Sequence, residues 1–322
     1  MQKVSIKDIQ NFAIGQVQNF DAATGCTVII CEEGAVCGVD VRGGSPGTRD
    51  TDALNPINNR KTVHAVLLSG GSSFGLDAAG GVMKYLEERK IGRDVGVTVV
   101  PNVCAAILFD LKCGDYKIRP DEKMGYEACI NAFSNKTFKS GNFGAGTGAT
   151  IGKIRGGAYA MKGGIGKSSF RHENLFVGAI MAVNCVGDIF DSKTGKILAG
   201  ALADDGKTFI DSESVILDEY ERKTDFFSGN TIIGCIITNA KLDKAQATKL
   251  ASLGQNGLAR AVRPAHSVYD GDTVFAMCTG EVSTTLDAVG ILAAMAVEEA
   301  IIDAVKNADS LGGFPALKDL QR

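Results

Sequence analysis

Thr231 is the residue whose neighbours most readily suggest chemistry. It follows Ser228-Gly229-Asn230 and opens the apolar run Thr231-Ile232-Ile233-Gly234-Cys235-Ile236-Ile237-Thr238. A threonine hydroxyl is a weak nucleophile while the residue's nitrogen is held in a peptide bond. Cutting the bond before it frees an α-amine that titrates near ~8 and lies within one residue of the hydroxyl. That is the N-terminal threonine form of nucleophilic catalysis. The same residues also read as plain structure, since Gly-Asn is a turn dipeptide and Thr and Ile favour strands.

Asp270-Gly271-Asp272-Thr273 sets two carboxylates two residues apart, ahead of another apolar run. They form a turn, or they orient the ammonium and hydroxyl of Thr231 as the third member of a triad orients its base. The Gly-rich segment Gly141–Lys153 and the run Lys162–Ser168 tempt a phosphate-binding reading. Both miss the Walker pattern, which needs glycine five positions before Gly-Lys and a hydroxyl residue after it. Thr147 and Ile154 break it around Lys153, and Met161 breaks it before Lys167. Glycines such as Gly144 and Gly146 equally suit close approach to a peptide-like substrate or donation to an oxyanion.

Composition limits the other options. In 322 residues, 45% are hydrophobic, 22% are charged and the net charge is −3 with scattered basic residues, so nucleic-acid binding is not indicated. Forty glycines and no Trp predict many tight turns. Nine cysteines without a CxxC, mostly in apolar runs, read as buried thiols rather than disulfides or a zinc site. His64, His172 and His266 have no spacing that supports a metal or a triad. Residues 1–30 carry no basic segment followed by an apolar one, and no apolar stretch is long enough for a bilayer. The expectation is a cytoplasmic protein.

Elements must position Thr231 and the carboxylates. The sequence predicts a hairpin over 27–41 turning at Glu32-Glu33-Gly34, a buried strand Val63–Ser69 and a helix over 75–90. Strands follow at 95–100, 105–111, 156–162 and 174–187, with a helix over 123–133. Residues 203–230 lack periodicity and suit a flexible connection. After the Thr231 strand come a helix over 243–262 capped by Asp243, a strand over 273–278 and a helix over 285–305. Hairpins with a few long helices argue for layered α+β architecture.

Ordered matches along nearly the whole chain resemble the self-processing peptidases of family P1. That family includes D-aminopeptidase/L-aminopeptidase–esterases, β-peptidyl aminopeptidases and nylon-oligomer endo-hydrolases. The matches are Gly38–Gly44, Pro46–Asp52, Leu68–Ala79, Gly144–Ala149 with Lys153, Gly229–Gly234, Arg263-Pro264 and Asp270–Ala276. The resemblance implies a four-layer α/β/β/α sandwich with the layering of N-terminal nucleophile hydrolases. It implies self-cleavage between Asn230 and Thr231 into 1–230 and 231–322. It places the nucleophile at Thr231, its partners at Asp270 and Asp272, a supporting lysine at Lys153 and an oxyanion asparagine at Asn184. A family tyrosine near the substrate falls at Phe109, which lacks the hydroxyl. The Asp/Asp pair looks more like the nylon-oligomer hydrolases than the aminopeptidases, and the resemblance suggests a tetramer.

The resulting expectation is a single-domain, cofactor-free and metal-free amidohydrolase acting on small peptides or amide oligomers through an acyl-enzyme, with no nucleic-acid or membrane partner. The alternatives are an acyltransferase resembling ornithine acetyltransferase and an inactive binding relative.

Overall fold

A computed structural model of the chain describes residues 1–134, 137–219 and 229–320. The elements that build its centre are strands β1 (Ala13–Asn19), β2 (Thr24–Val41), β3 (Val63–Ser69), β4 (Val103–Ile107), β5 (Gly164–His172), β6 (Leu175–Asn184), β7 (Thr231–Ala240) and β8 (Thr273–Val282). The helices are α1 (Ala78–Glu88), α2 (Glu122–Phe133), α3 (Lys244–Ala261) and α4 (Leu286–Asn307).

The strands form two faces joined through β2. One runs β5-β6-β7-β8-β2 and the other contains β1, β2, β3 and β4. The pairs β7–β8 and β3–β4 are parallel and the remaining neighbours among these strands are antiparallel.

Alternation along the strands then creates three apolar layers. In β7, Ile232 and Ile236 pack with Leu250 and Val297 of α3 and α4. Ile233, Cys235 and Ile237 turn the other way, against Ile29, Val66 and Cys104 of the second sheet. Beyond that sheet, Val28, Ile30 and Leu67 pack on Val82, Leu86 and Ala128 of α1 and α2. The stack is helix, sheet, sheet, helix, as the resemblance implies. Burial on both faces explains why β7 reads as an unbroken apolar run.

The sequence reading of 27–41 needs correction. Instead of a hairpin, Thr24–Val41 is one strand, and its register against β3 shifts between Ile30 and Ala35. Glu32 and Glu33 are exposed at this irregularity and Gly34 takes φ +78°. The polar triplet is a bulge where the strand passes from one sheet to the other. The 156–162 strand shrinks to Met161–Lys162, behind a 3-10 turn at Gly157–Tyr159. Only Val99–Val100 of the 95–100 run is a strand, and the 105–111 run is the strand Val103–Ile107.

The expected flexible stretch over 203–230 holds a helix, Ser212–Asp218, capped by Asp211. Residues 220–228 of that stretch, Ser228 among them, lie outside the described residues. Helix α3 starts as predicted, with Asp243 and Gln246 forming a reciprocal capping box. All nine cysteines are buried and free.

Candidate active site

The ends of three adjacent strands converge on Thr231. It is the first residue of β7 and pairs with Asn184, the last residue of β6. On the other side, Asn230 bridges Asp270 just before β8 begins. The segment Asp270-Gly271-Asp272 therefore runs alongside Asn230-Thr231-Ile232. All of these residues are buried, Thr231 being 4% exposed.

The carbonyl before Thr231 is held by two donors. Gly271 N–H donates to the Asn230 oxygen at 3.0 Å, and the Thr231 hydroxyl donates to the same oxygen. Gly271 has to be glycine here for reasons of space. A Cβ at that position would lie 2.8 Å from Thr231 Oγ1 and 2.8 Å from the Ser45 carbonyl oxygen.

The carboxylates divide their work. Asp272 Oδ1 accepts the Ile232 N–H at 2.7 Å, fixing the backbone directly after Thr231. Its Oδ2 accepts the His266 N–H at 3.1 Å and lies 2.9 Å from His266 Nδ1. Asp270 Oδ2 accepts both the N–H and the hydroxyl of Ser267. Asp270 Oδ1 is buried with no hydrogen-bond partner among the described residues. Burial and then the neighbouring Asp272 push the Asp270 carboxyl up to about 6.

Lys153 and Asn184 close the opposite side. Lys153 Nζ donates to the carbonyl oxygens of Asn184 at 2.8 Å and Gly229 at 3.2 Å. Asn184 Nδ2 donates to the carbonyl oxygens of Gly229 at 3.1 Å and Phe109 at 3.0 Å. Asn184 Oδ1 accepts the Thr150 N–H at 2.9 Å, which fixes which way the amide points. Burial lowers the Lys153 ammonium to about 7.

Of the residues read from the sequence, the structure brings together Thr231, Asn230, Asp270, Asp272, Lys153, Asn184 and Phe109. Asn184 reaches the Gly229 carbonyl, one peptide short of the Asn230 carbonyl that the resemblance would assign to it. Gly144 and Gly146 are not brought to the site. They occupy a buried 3-10 turn, where a Cβ would lie 2.1 Å from Thr27 Oγ1 or from the Ile165 nitrogen respectively. Close packing at these contacts is enough to require glycine at both positions. Gly166-Lys167-Ser168 lies inside β5, with Lys167 Nζ on the Phe138 carbonyl at 2.9 Å, so it is not the loop before a helix that a phosphate cradle needs.

Sequence reasoning missed two participants. The Gly271 N–H is backbone and leaves no side-chain signal. His266 precedes Asp272 by six residues, too far for a turn motif and too near for a recognisable triad order. Its backbone takes φ +58°, a left-handed conformation that few non-glycine residues adopt. Among the described residues, no group of three or more His, Cys, Asp or Glu could hold a metal ion. No described helix is long and apolar enough to cross a membrane.

A buried threonine, two carboxylates, a lysine and an amide donor thus gather at the ends of strands in an αββα stack. The chain belongs to peptidase family S58, whose model matches residues 4–318. It is 39% identical to an uncharacterized aminopeptidase of Mycobacterium leprae, over 97% of this chain and 92% of that protein. It is 28% identical to a 6-aminohexanoate-oligomer endohydrolase of a Kocuria species, over 93% of this chain and 85% of the relative. Its fold matches the L-aminopeptidase D-Ala-esterase/amidase of Ochrobactrum anthropi, described as a variant of the Ntn-hydrolase fold. The TM-score is 0.71 at 18% identity, covering 97% of this chain and 88% of the other. A Burkholderia β-aminopeptidase matches with TM-score 0.66 at 20% identity, covering 98% and 92%.

Proposed function

We propose that the chain cuts itself between Asn230 and Thr231 and then hydrolyses peptide or other amide bonds with Thr231 as an N-terminal nucleophile. One observation carries this reading: the Thr231 hydroxyl lies against the preceding carbonyl, whose oxygen also takes the Gly271 N–H at 3.0 Å. A nucleophile beside a polarised carbonyl is the arrangement an N-to-O acyl shift requires.

In that shift Thr231 Oγ1 attacks the Asn230 carbonyl carbon. The Asn230–Thr231 C–N bond breaks, and the hydroxyl proton ends on the departing nitrogen. Water then hydrolyses the ester, leaving an Asn230 carboxylate and a free Thr231 amine. In the cut enzyme that amine takes the hydroxyl proton as Oγ1 attacks a substrate carbonyl, and returns a proton to the leaving amine. The open oxygen of Asp270 receives the Thr231 ammonium. Asp272 holds the backbone at Ile232, while Lys153 and Asn184 supply positive charge and a donor on the acyl side. A second water releases the acyl group.

The 28% identical endohydrolase acts on 6-aminohexanoate oligomers, and the cleft lined by Phe109, Thr150, Lys153, Gly157 and Phe314 beside the site suits a slender amide chain. The same reading carries a cytoplasmic tetramer of cut protomers, which light scattering on the purified protein tests.

Intact-mass analysis with N-terminal sequencing tests the cut. The purified protein is expected as Met1–Asn230 and Thr231–Arg322, while Thr231→Ala stays whole. A single N-terminus at Met1 after prolonged incubation overturns the reading.

A further inference from the structure

The Gly229 carbonyl is held more elaborately than a bond about to lose its neighbour needs. Two buried side chains donate to it, Asn184 Nδ2 at 3.1 Å and Lys153 Nζ at 3.2 Å. Neither depends on Gly229 for its position. Lys153 Nζ is also anchored on the Asn184 carbonyl, and the Asn184 amide is oriented by the Thr150 N–H and the Phe109 carbonyl. The donors are preset by the ends of the strands, so they persist when the chain before Thr231 leaves.

This matters because of what self-cleavage makes. Its ester carries Asn230 on Thr231 Oγ1 and is chemically an acyl-enzyme whose acyl residue is Asn230. The carbonyl of Gly229 is then the next amide upstream in the enzyme's first acyl donor. Once that segment has left, two buried donors have lost an acceptor, which is costly for buried polar groups. A substrate restores it only if it has a carbonyl at that place.

We propose that the position held by the Gly229 carbonyl is a substrate subsite for the amide carbonyl one residue upstream of the bond cut, which makes the enzyme prefer internal or amine-blocked acyl donors over donors with a free α-amine. This rests on the amidohydrolase reading above and deepens it. The charges beside the subsite favour the same choice. The adjoining cleft carries Lys112 and Lys153. Asp110, the one carboxylate among its described lining residues, is engaged at both oxygens, by the Thr24 hydroxyl at 2.6 Å and the Gly71 N–H at 2.7 Å. The open oxygen of Asp270 is reserved for the Thr231 amine. A substrate ammonium therefore meets lysines and no available carboxylate among the lining residues.

The test varies the substrate and leaves the protein unchanged. Protein shown by mass to be cut is given four 4-nitroanilides at pH 7, where a substrate α-amine is mostly protonated. They are asparagine with a free amine, the same compound lacking the amine, N-acetyl-asparagine and N-thioacetyl-asparagine. The acetyl compound is expected to exceed the free-amine and amine-less compounds at least tenfold in kcat/KM. Replacing its oxygen by sulfur, a weak acceptor, should cancel most of that gain. Equal rates for all four, a faster free-amine substrate, or no loss with sulfur overturns the subsite and leaves the amidohydrolase reading standing. No turnover of any of the four by fully cut protein overturns both.

Discussion

His266 and Asp272 meet twice: Asp272 Oδ2 lies 2.9 Å from the His266 ring at Nδ1 and accepts the backbone N–H of the same histidine at 3.1 Å. The other oxygen of Asp272 holds the Ile232 N–H at 2.7 Å. The histidine therefore acts on Thr231 at one remove, by fixing the carboxylate that fixes the strand. His266→Leu is expected to slow self-cleavage about tenfold, from the loss of one charge-assisted hydrogen bond of roughly 1.5–3 kcal/mol. His266→Asn should recover most of the rate, because its Nδ2 stands where Nδ1 does and Asn tolerates φ +58°. Time courses of band conversion after refolding measure both. Equal rates for Leu and Asn would reduce His266 to a packing residue.

Gly271 gives a sharper steric prediction. Its N–H polarises the Asn230 carbonyl, and an added methyl would meet Thr231 Oγ1 and the Ser45 carbonyl at 2.8 Å each. Gly271→Ala should displace hydroxyl and donor together and retard the cut by about a hundredfold, the scale of one lost oxyanion donor. Circular dichroism should still report a folded chain. Normal processing of the variant would remove Gly271 from the reacting geometry.

Asp270 sets a pH dependence. Its carboxyl is raised from 3.8 to about 6 by burial and then by Asp272. Between those values the folded state holds the proton and the unfolded state has released it, so this group's contribution to stability falls as pH rises through about 6. At about 1.4 kcal/mol per pKa unit, its ionisation costs the fold about 3 kcal/mol above that range. In the uncut Thr231→Ala background, adding Asp270→Asn should therefore stabilise progressively from pH 4 to pH 7, read by urea denaturation. With Thr231 intact, self-cleavage should accelerate through pH 6 as the carboxylate forms. Asp270→Asn should lower the rate about a hundredfold and abolish that limb.

Chelators should leave both cutting and turnover unchanged, and calorimetry should find no tight ATP binding. ATP binding lost on changing Lys153 or Lys167 would revive the phosphate reading of the glycine-rich segments.

Much of this site was legible because its parts are side chains with distinctive chemistry beside strong patterns. The run from Thr231 to Thr238 declared a buried strand by its apolar continuity, and Asp243 with Gln246 marked the start of the helix after it. The Asp-Gly-Asp turn stood out by charge. What stayed hidden depends on the third dimension or on the backbone. Glu32-Glu33-Gly34 has the composition of a hairpin turn, yet here it eases one strand from sheet to sheet, a choice made by packing on both sides. Gly144 and Gly146 carry the composition of a binding loop and serve as spacers against Thr27 and Ile165. Which carbonyl Asn184 reaches is decided by the Thr150 N–H, a partner 34 residues away in sequence.

The placement of β7 and β8 in the interior of their sheet, between β6 and β2, bears on when the proposed cut could happen. Phe109, Lys153, Asn184, Thr231 and Gly271 come together only after strands far apart in the chain have closed that sheet, a slow, late event in a topology of long-range pairings. The four buried isoleucines of β7, at about 1.5–3 kcal/mol each, rival the whole net stability of an ordinary domain. The proposed smaller fragment, Thr231–Arg322, should therefore stay in place after a cut. If the chain cuts as proposed, an irreversible break that needs the finished architecture works as a record: every severed molecule has been native at least once.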